Sequence, residues 1–114
     1  MTSTSAKREE LVDSILGRRG FRKTHVVDKV IEYKNSDGVV LYYNRKLSGE
    51  SVGIAFNPVF EKKLGGVNAA RYRNDDMLNF DKVPGRGRRP TRLGIQVKLP
   101  NTGMLDDLLN IAGL

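Results

Sequence analysis

The chain has no cysteine, a single histidine and no acidic residue between Lys82 and Lys98. Without cysteine there is no disulfide, no Cys-ligated zinc and no thiol nucleophile. His25, the lone histidine, has neither a cysteine nor a triad order of Asp and Ser around it, so we assign it a structural place at the start of a strand. No apolar run approaches the ~18 residues that cross a bilayer. The opening residues M-T-S-T-S-A-K-R-E-E carry no apolar segment of an export signal, and a cytoplasmic, non-membrane protein is expected. Gly85-x-Gly87 lacks the third glycine of a phosphate loop, and no G-K-[ST] occurs, which argues against nucleotide hydrolysis. Asp75-Asp76 and Asp106-Asp107 both stand where a helix N-terminus would account for them, and neither marks a general acid/base pair. We therefore expect no catalytic residues, no metal site and no cofactor.

What the chain does have is localised charge. Of the formal net charge of +7, residues 1–81 contribute +3, residues 82–98 contribute +6 and residues 99–114 contribute −2. At 114 residues, with 39% hydrophobic and 29% charged residues, the composition is that of one domain over 1–114 with enough chain to bury a core. Residues 1–4 are expected to be disordered and 82–92 to form a basic loop.

Ser5 suits an N-cap, and Leu11, Val12, Ile15 and Leu16 form the narrow apolar stripe of an amphipathic helix that Gly20 ends. Residues 24–33 are rich in β-branched and aromatic types, N-S-D-G at 35–38 supplies a turn, and V-V-L-Y-Y-N-R at 39–45 resumes the strand as a hairpin. Val52, Ile54 and Phe56 alternate with Ser51, Gly53 and Ala55, a strand with one unusually small face against which something, such as a helix, packs closely. Asn57-Pro58 predicts a short helix reaching Lys63 or Leu64. Asn68–Arg73 can form a strand, and Asn74-Asp75-Asp76 looks like a capped turn. Leu93, Ile95, Val97 and Leu99 alternate with polar or small residues as a half-buried strand, and Thr102 caps a last helix with Leu105, Leu108, Leu109 and Ala112 along one side. The order α-β-β-β-α-β-β-α predicts an α+β two-layer sandwich on a five-stranded antiparallel sheet.

The run G-F at 20–21, V-x-D-K-V-I-E-Y at 26–33, V-L-Y-Y-N-R at 40–45, A-F-N-P at 55–58, L-G-I at 93–95 and L-x-x-L-L at 105–109 resembles the YgaC-like family of small uncharacterised bacterial proteins. That resemblance implies a secretion-chaperone-like fold related to the N-terminal domain of the competence regulator TfoX. It carries over no catalytic or binding residues, and the arginine content of 82–92 departs from the family pattern.

The basic segment supplies the functional expectation. Lys82, Arg86, Arg88, Arg89, Arg92 and Lys98 can present charge to phosphates, with Arg18, Arg19, Arg22 and Lys23 as a second group at the end of the first helix. P-G-R-G-R-R-P resembles an AT-hook core, but the extra arginine before Pro90 puts the motif out of register for a minor groove. Tyr42, Tyr43 and Tyr72 are candidate stacking faces, although adjacent Tyr42 and Tyr43 point to opposite faces of the sheet, so one of them at most is expected to be exposed. Asp13 or Asp37 with Glu32-x-Lys34 or Glu61-x-Lys63 matches the pattern of a metal-dependent nuclease only formally. The expected activity is low-specificity binding of DNA or RNA. The alternatives are an adapter module that binds an acidic or helical protein, and a bacterial or phage accessory protein that acts on a nucleic-acid machine.

Overall fold

The computed structural model describes residues 4–85 and 87–114, with the side chains of Thr4 and Arg88 set aside. Alternation of apolar and polar residues builds the sheet, because successive side chains of a strand point to opposite faces. In chain order the elements are α1 (Thr4–Arg18), β1 (Arg22–Val26), β2 (Val30–Lys34), β3 (Val40–Asn44), β4 (Val52–Phe56), a 3₁₀ turn (Pro58–Phe60), β5 (Ala69–Arg73), β6 (Lys82–Gly85), β7 (Arg88–Leu99), a second 3₁₀ turn (Thr102–Met104) and α2 (Leu105–Ile111). The sheet is antiparallel throughout, in the order β1-β2-β3-β4-β7-β5, with β6 paired to the first half of β7.

The α+β antiparallel class is as expected, but the sheet has seven strands instead of five and the helix expected in mid-chain is missing. Three local causes account for this. Residues 24–33, expected as one strand, divide into β1 and β2, because Val27–Lys29 reverse the chain and Val27 N–H closes on the Val30 carbonyl at 3.1 Å. Asn57 does cap the next segment, its side chain accepting from Val59 N–H, but the helix stops after one 3₁₀ turn. Gly65 and Gly66 leave too little chain for propagation, and a single turn is costly to nucleate. Finally, residues 82–92, expected as a loop, pair as β6 and the start of β7. Pro84 falls at the register shift between Val83 and Gly85, where a missing N–H breaks no regular ladder bond.

One face of the sheet carries Ile31, Tyr33, Leu41, Tyr43, Ile54, Phe56, Ile95 and Val97 against the two helices. Helix α1 contributes Val12 and Leu16, one turn apart, and α2 contributes Leu105, Leu108, Leu109 and Ala112. The stripe on α1 is narrower than expected, since Leu11 is 44% exposed. Gly20, at φ 87°, ends the helix as expected, and Gly38, at φ 82°, closes the β2–β3 hairpin. The last helix starts later than Thr102, because Asn101 caps a 3₁₀ turn there and α2 proper begins at Leu105.

The opposite face is partly covered by the chain's own segment 74–81, a strap between β5 and β6. Its Met77 and Phe80 pack on Val30, Tyr42 and Ala55, and Phe80 meets the Tyr42 ring edge-on at 4.9 Å. This explains the small residues seen in the sequence. A Cβ on Gly94 would lie 3.0 Å from the Phe80 ring, and one on Gly53 would lie 2.8 Å from Gln96 Oε1 and 2.9 Å from Leu47 Cδ1. What packs there is the strap and Leu47, not a helix. Asn44 Nδ2 donates to Gln96 Oε1 at 2.8 Å, and the absent side chain of Gly53 is what lets these two buried amides meet. Gly53→Ala is expected to break that pair and destabilise the fold by about 1–3 kcal/mol. A urea melt showing an unchanged midpoint would remove the bridge from the account.

Candidate nucleic-acid interface

The basic segment is a two-stranded arm. Strand β7 has twelve residues, which at ~3.3 Å each run roughly 40 Å, against a longest molecular extent of 44 Å. Its second half is held between β4 and β5, whereas Arg88–Arg92 pair only with β6 and carry the ribbon past the last register pairs of β4 and β5. Gly87, at φ 60°, lies in the connecting turn.

The base of the arm is braced by groups that the charge pattern does not reveal. Arg73 Nη1 donates to the Val83 carbonyl at 2.8 Å and to Thr91 Oγ1 at 2.9 Å, and its Nη2 donates to the Pro84 carbonyl at 3.1 Å. Arg92 Nη1 bridges the carbonyls of Leu78 and Phe80 at 2.9 and 2.7 Å, which ties the arm to the strap. Arg92 N–H donates to Asp75 Oδ1 at 3.1 Å, and Leu93 N–H donates to the Asp81 carbonyl. Arg92 is therefore a brace as well as a charge. The sequence signal for this was weak: an arginine next to a strand core is equally compatible with solvent.

The remaining basic residues differ in availability. Lys82 is exposed on β6, and Lys98 is exposed on β7. Arg89 has a side chain 86% exposed, with Asp75 3.7 Å away. Such an exposed pair contributes little, so a phosphate can replace the carboxylate. Arg86 and the side chain of Arg88 lie outside the described residues.

The second group sits elsewhere and is largely occupied. Arg19 is only 21% exposed. Its guanidinium reaches Asp106 at 3.3 Å, Asn110 Oδ1 at 2.5 Å and the Leu114 carbonyl at 2.8 Å, joining α1 to the C-terminal helix. Arg18 approaches Asp106 at 3.8 Å and Lys23 approaches Asp13 at 3.7 Å, while Arg22 is exposed on the edge strand β1. Four strand spacings, roughly 19 Å, separate β1 from β7. The two basic groups thus lie toward opposite edges of the sheet.

Of the candidate stacking residues, Tyr42 and Tyr43 do face opposite ways, but both are buried, one under the strap and the other under α1. Tyr43 Oη accepts from Arg8 Nε at 2.6 Å. Tyr72 alone keeps partial exposure, on the strap side of β5. Of the carboxylates in the nuclease pattern, Asp13 and Glu32 stand on opposite faces of the sheet. Asp13 accepts from Tyr33 on the helix side, whereas Glu32 is buried on the strap side beneath Tyr42, Thr24 and Asn79. The two carboxylates cannot share a metal ion. His25 is exposed on β1, beside a register shift in the β1–β2 ladder. Among the described residues no helix is long and apolar enough to cross a membrane.

Comparison with protein-family models, with curated proteins and with solved structures finds no match. The likeness to the YgaC-like family rests on the order of sequence motifs alone.

Proposed function

We propose that this chain is a non-enzymatic, cytoplasmic nucleic-acid-binding domain whose β6–β7 arm meets the phosphate backbone. The observation that carries this reading is the arm itself, a braced β-ribbon past the end of the sheet in a stretch of sequence with six basic and no acidic residues. Lys82, Arg86, Arg88 and Arg89 supply the contacts, and Arg92 holds the ribbon in place. A ribbon fixed at its base has less backbone freedom to lose than a free loop, which lowers the ordering cost of binding a polyanion. Phosphate contacts carry little sequence information, and specificity is low.

The experiment is a titration of duplex and single-stranded DNA and RNA at several salt concentrations. Binding is expected at low salt, with log K falling linearly against log salt. The triple substitution R86A/R88A/R89A is expected to lower affinity by roughly tenfold or more and to flatten the salt slope by about 2 to 3. Absence of binding at low salt, or equal affinity in the triple variant, would overturn the reading.

A further inference from the structure

The strap covers only part of its face of the sheet. Beside it runs an open trough made of two adjoining cavities of about 900 and 420 Å³, which share Asn44 and Tyr72 in their walls. The larger reaches the arm at Gly85 and Thr91 and is rimmed by Lys29, Lys46 and Arg73. The smaller continues along β5 and β7 and is lined by Arg71 and Lys98, with Gln96 below. Asp75 and Asp76 also line the larger cavity, so the trough as a whole carries five basic side chains against two acidic ones.

Its floor is unusual for the middle of a sheet. Asn44 and Gln96 are more than nine-tenths buried, where apolar residues would cost less desolvation. Their mutual bond uses one donor of Asn44 and the oxygen of Gln96, while the Asn44 oxygen accepts from Lys46 N–H at 2.9 Å. An amide nitrogen has two hydrogens, so donor capacity is left on the floor. Tyr72 stands at the junction of the two cavities, half-buried, with Oη accepting from Asn74 Nδ2 at 2.9 Å. That bond orients the ring.

Cations on the rim, amide donors on the floor and one oriented aromatic ring form the combination that binds unpaired nucleotides, since phosphates track the charge and a base stacks on the ring. We propose that this trough is a binding path for single-stranded nucleic acid, entered from the arm. Phosphates lie along Lys29, Lys46, Arg71 and Lys98, and one base lies against Tyr72 above the Asn44–Gln96 pair. A duplex cannot use the floor, because its bases are already stacked on one another. The inference rests on the nucleic-acid reading of the arm and adds to it a strand class and a second set of residues.

The test uses fluorescence anisotropy of the full chain with labelled oligo(dT), oligo(U) and a DNA duplex. The proteins compared are the wild type, R86A/R88A/R89A, Tyr72→Ala, Tyr72→Phe and K46A/K98A. Tyr72→Ala is expected to weaken binding of the single strands by roughly tenfold and to spare the duplex. Tyr72→Phe keeps the stacking face and retains most of the affinity, and K46A/K98A, at two exposed positions, weakens the single strands without depending on the fold tolerating loss of the ring. The arm variant weakens all three probes. If single-strand affinity is unchanged in both Tyr72→Ala and K46A/K98A while the arm variant still loses affinity, the trough is not the path and the arm reading stands. If the wild type binds none of the probes, both are overturned.

Discussion

Glu32→Ala is expected to destabilise the protein by about 3 kcal/mol and to lower Tm by roughly 10–15 °C. Glu32 is buried on the strap side of β2, and its carboxylate gathers three donors. Tyr42 Oη donates at 2.5 Å, Thr24 Oγ1 at 2.8 Å and Asn79 Nδ2 at 2.8 Å. Asn79 N–H in turn donates to Tyr42 Oη at 2.9 Å, so one carboxylate joins β1, β2, β3 and the strap. Truncation strands those donors out of water. Burial by itself raises the pKa of Glu32, but the bonds from Tyr42, Thr24 and Asn79, together with the positive field of His25, outweigh it and leave the group below its ordinary value of 4.5. A depressed carboxylate pKa stabilises the fold above the unfolded value and loses that contribution as pH falls through the folded one. Wild-type Tm should therefore decline below about pH 4.5, and its advantage over Glu32→Gln should shrink over the same interval. The alkaline limb has the opposite sign. Burial, followed by the bond to Glu32, pushes Tyr42 up to about 12, and burial also raises Tyr33 and Tyr43. Stability is thus whole below pH 10 and lost above it, as the unfolded tyrosines ionise first. Equal melting of wild type and Glu32→Gln across the acid range would show that the network contributes nothing.

The helix side of the fold was legible because its residues follow strict periods. Ile54 and Phe56, and Ile95 and Val97, keep a period of two and all face the helices, as the alternation predicts. The N-S-D-G turn was legible for the same reason, since Gly38 takes the positive φ that such a turn requires. The strap side was not, because it is built by a segment with no period. Met77 and Phe80 stand three apart in a stretch that reads as a capped turn, and only Gly53, Ala55 and Gly94 betray that something lies close over the sheet. Those small residues correctly signalled a close approach, but a glycine records that space is needed and not what fills it. The division of 24–33 was hidden as well, because Val27-Asp28-Lys29 turns the chain without a glycine or proline.

The candidate site was legible as charge and illegible as architecture. The acid-free stretch from Lys82 to Lys98 is plain in the sequence, yet its glycines and prolines suggested a loop where two strands pair. Charge counting also weights every arginine alike. Arg19 and Arg92 spend their guanidinium groups on Asp106, Asn110 and backbone carbonyls, whereas Arg89 remains in solvent. Lys29, Lys46, the β5 pair Arg71 and Arg73, and Lys98 come from four separated parts of the chain, and only the antiparallel register and the path of the strap bring them to one trough.

Phe80→Ala should cost about 3–5 kcal/mol, and its consequences should reach beyond the cavity it leaves. The Phe80 ring is fully buried, edge-on to Tyr42 and pressed against the bare backbone of Gly94, which has no side chain of its own to fill the space. The loss falls on the strap first. Over β2 and β3 its remaining hold is Met77 together with the bonds from Asn79 to Glu32 and Tyr42, and those bonds keep their strength only while water is excluded. Hydrogen exchange should therefore quicken at Met77, Asn79 and Phe80, and at Leu93, whose N–H is held by the Asp81 carbonyl at the end of the strap, before it quickens in β2 and β3. The arm should loosen with the strap, because Arg92 is anchored on the Leu78 and Phe80 carbonyls. Phe80→Leu, which keeps much of the volume, should lose less stability and leave exchange at Leu93 slow. Uniform acceleration across the whole sheet in Phe80→Ala would mean that strap and sheet unfold as one unit, and a loss below about 1 kcal/mol would mean that Phe80 does not anchor the strap.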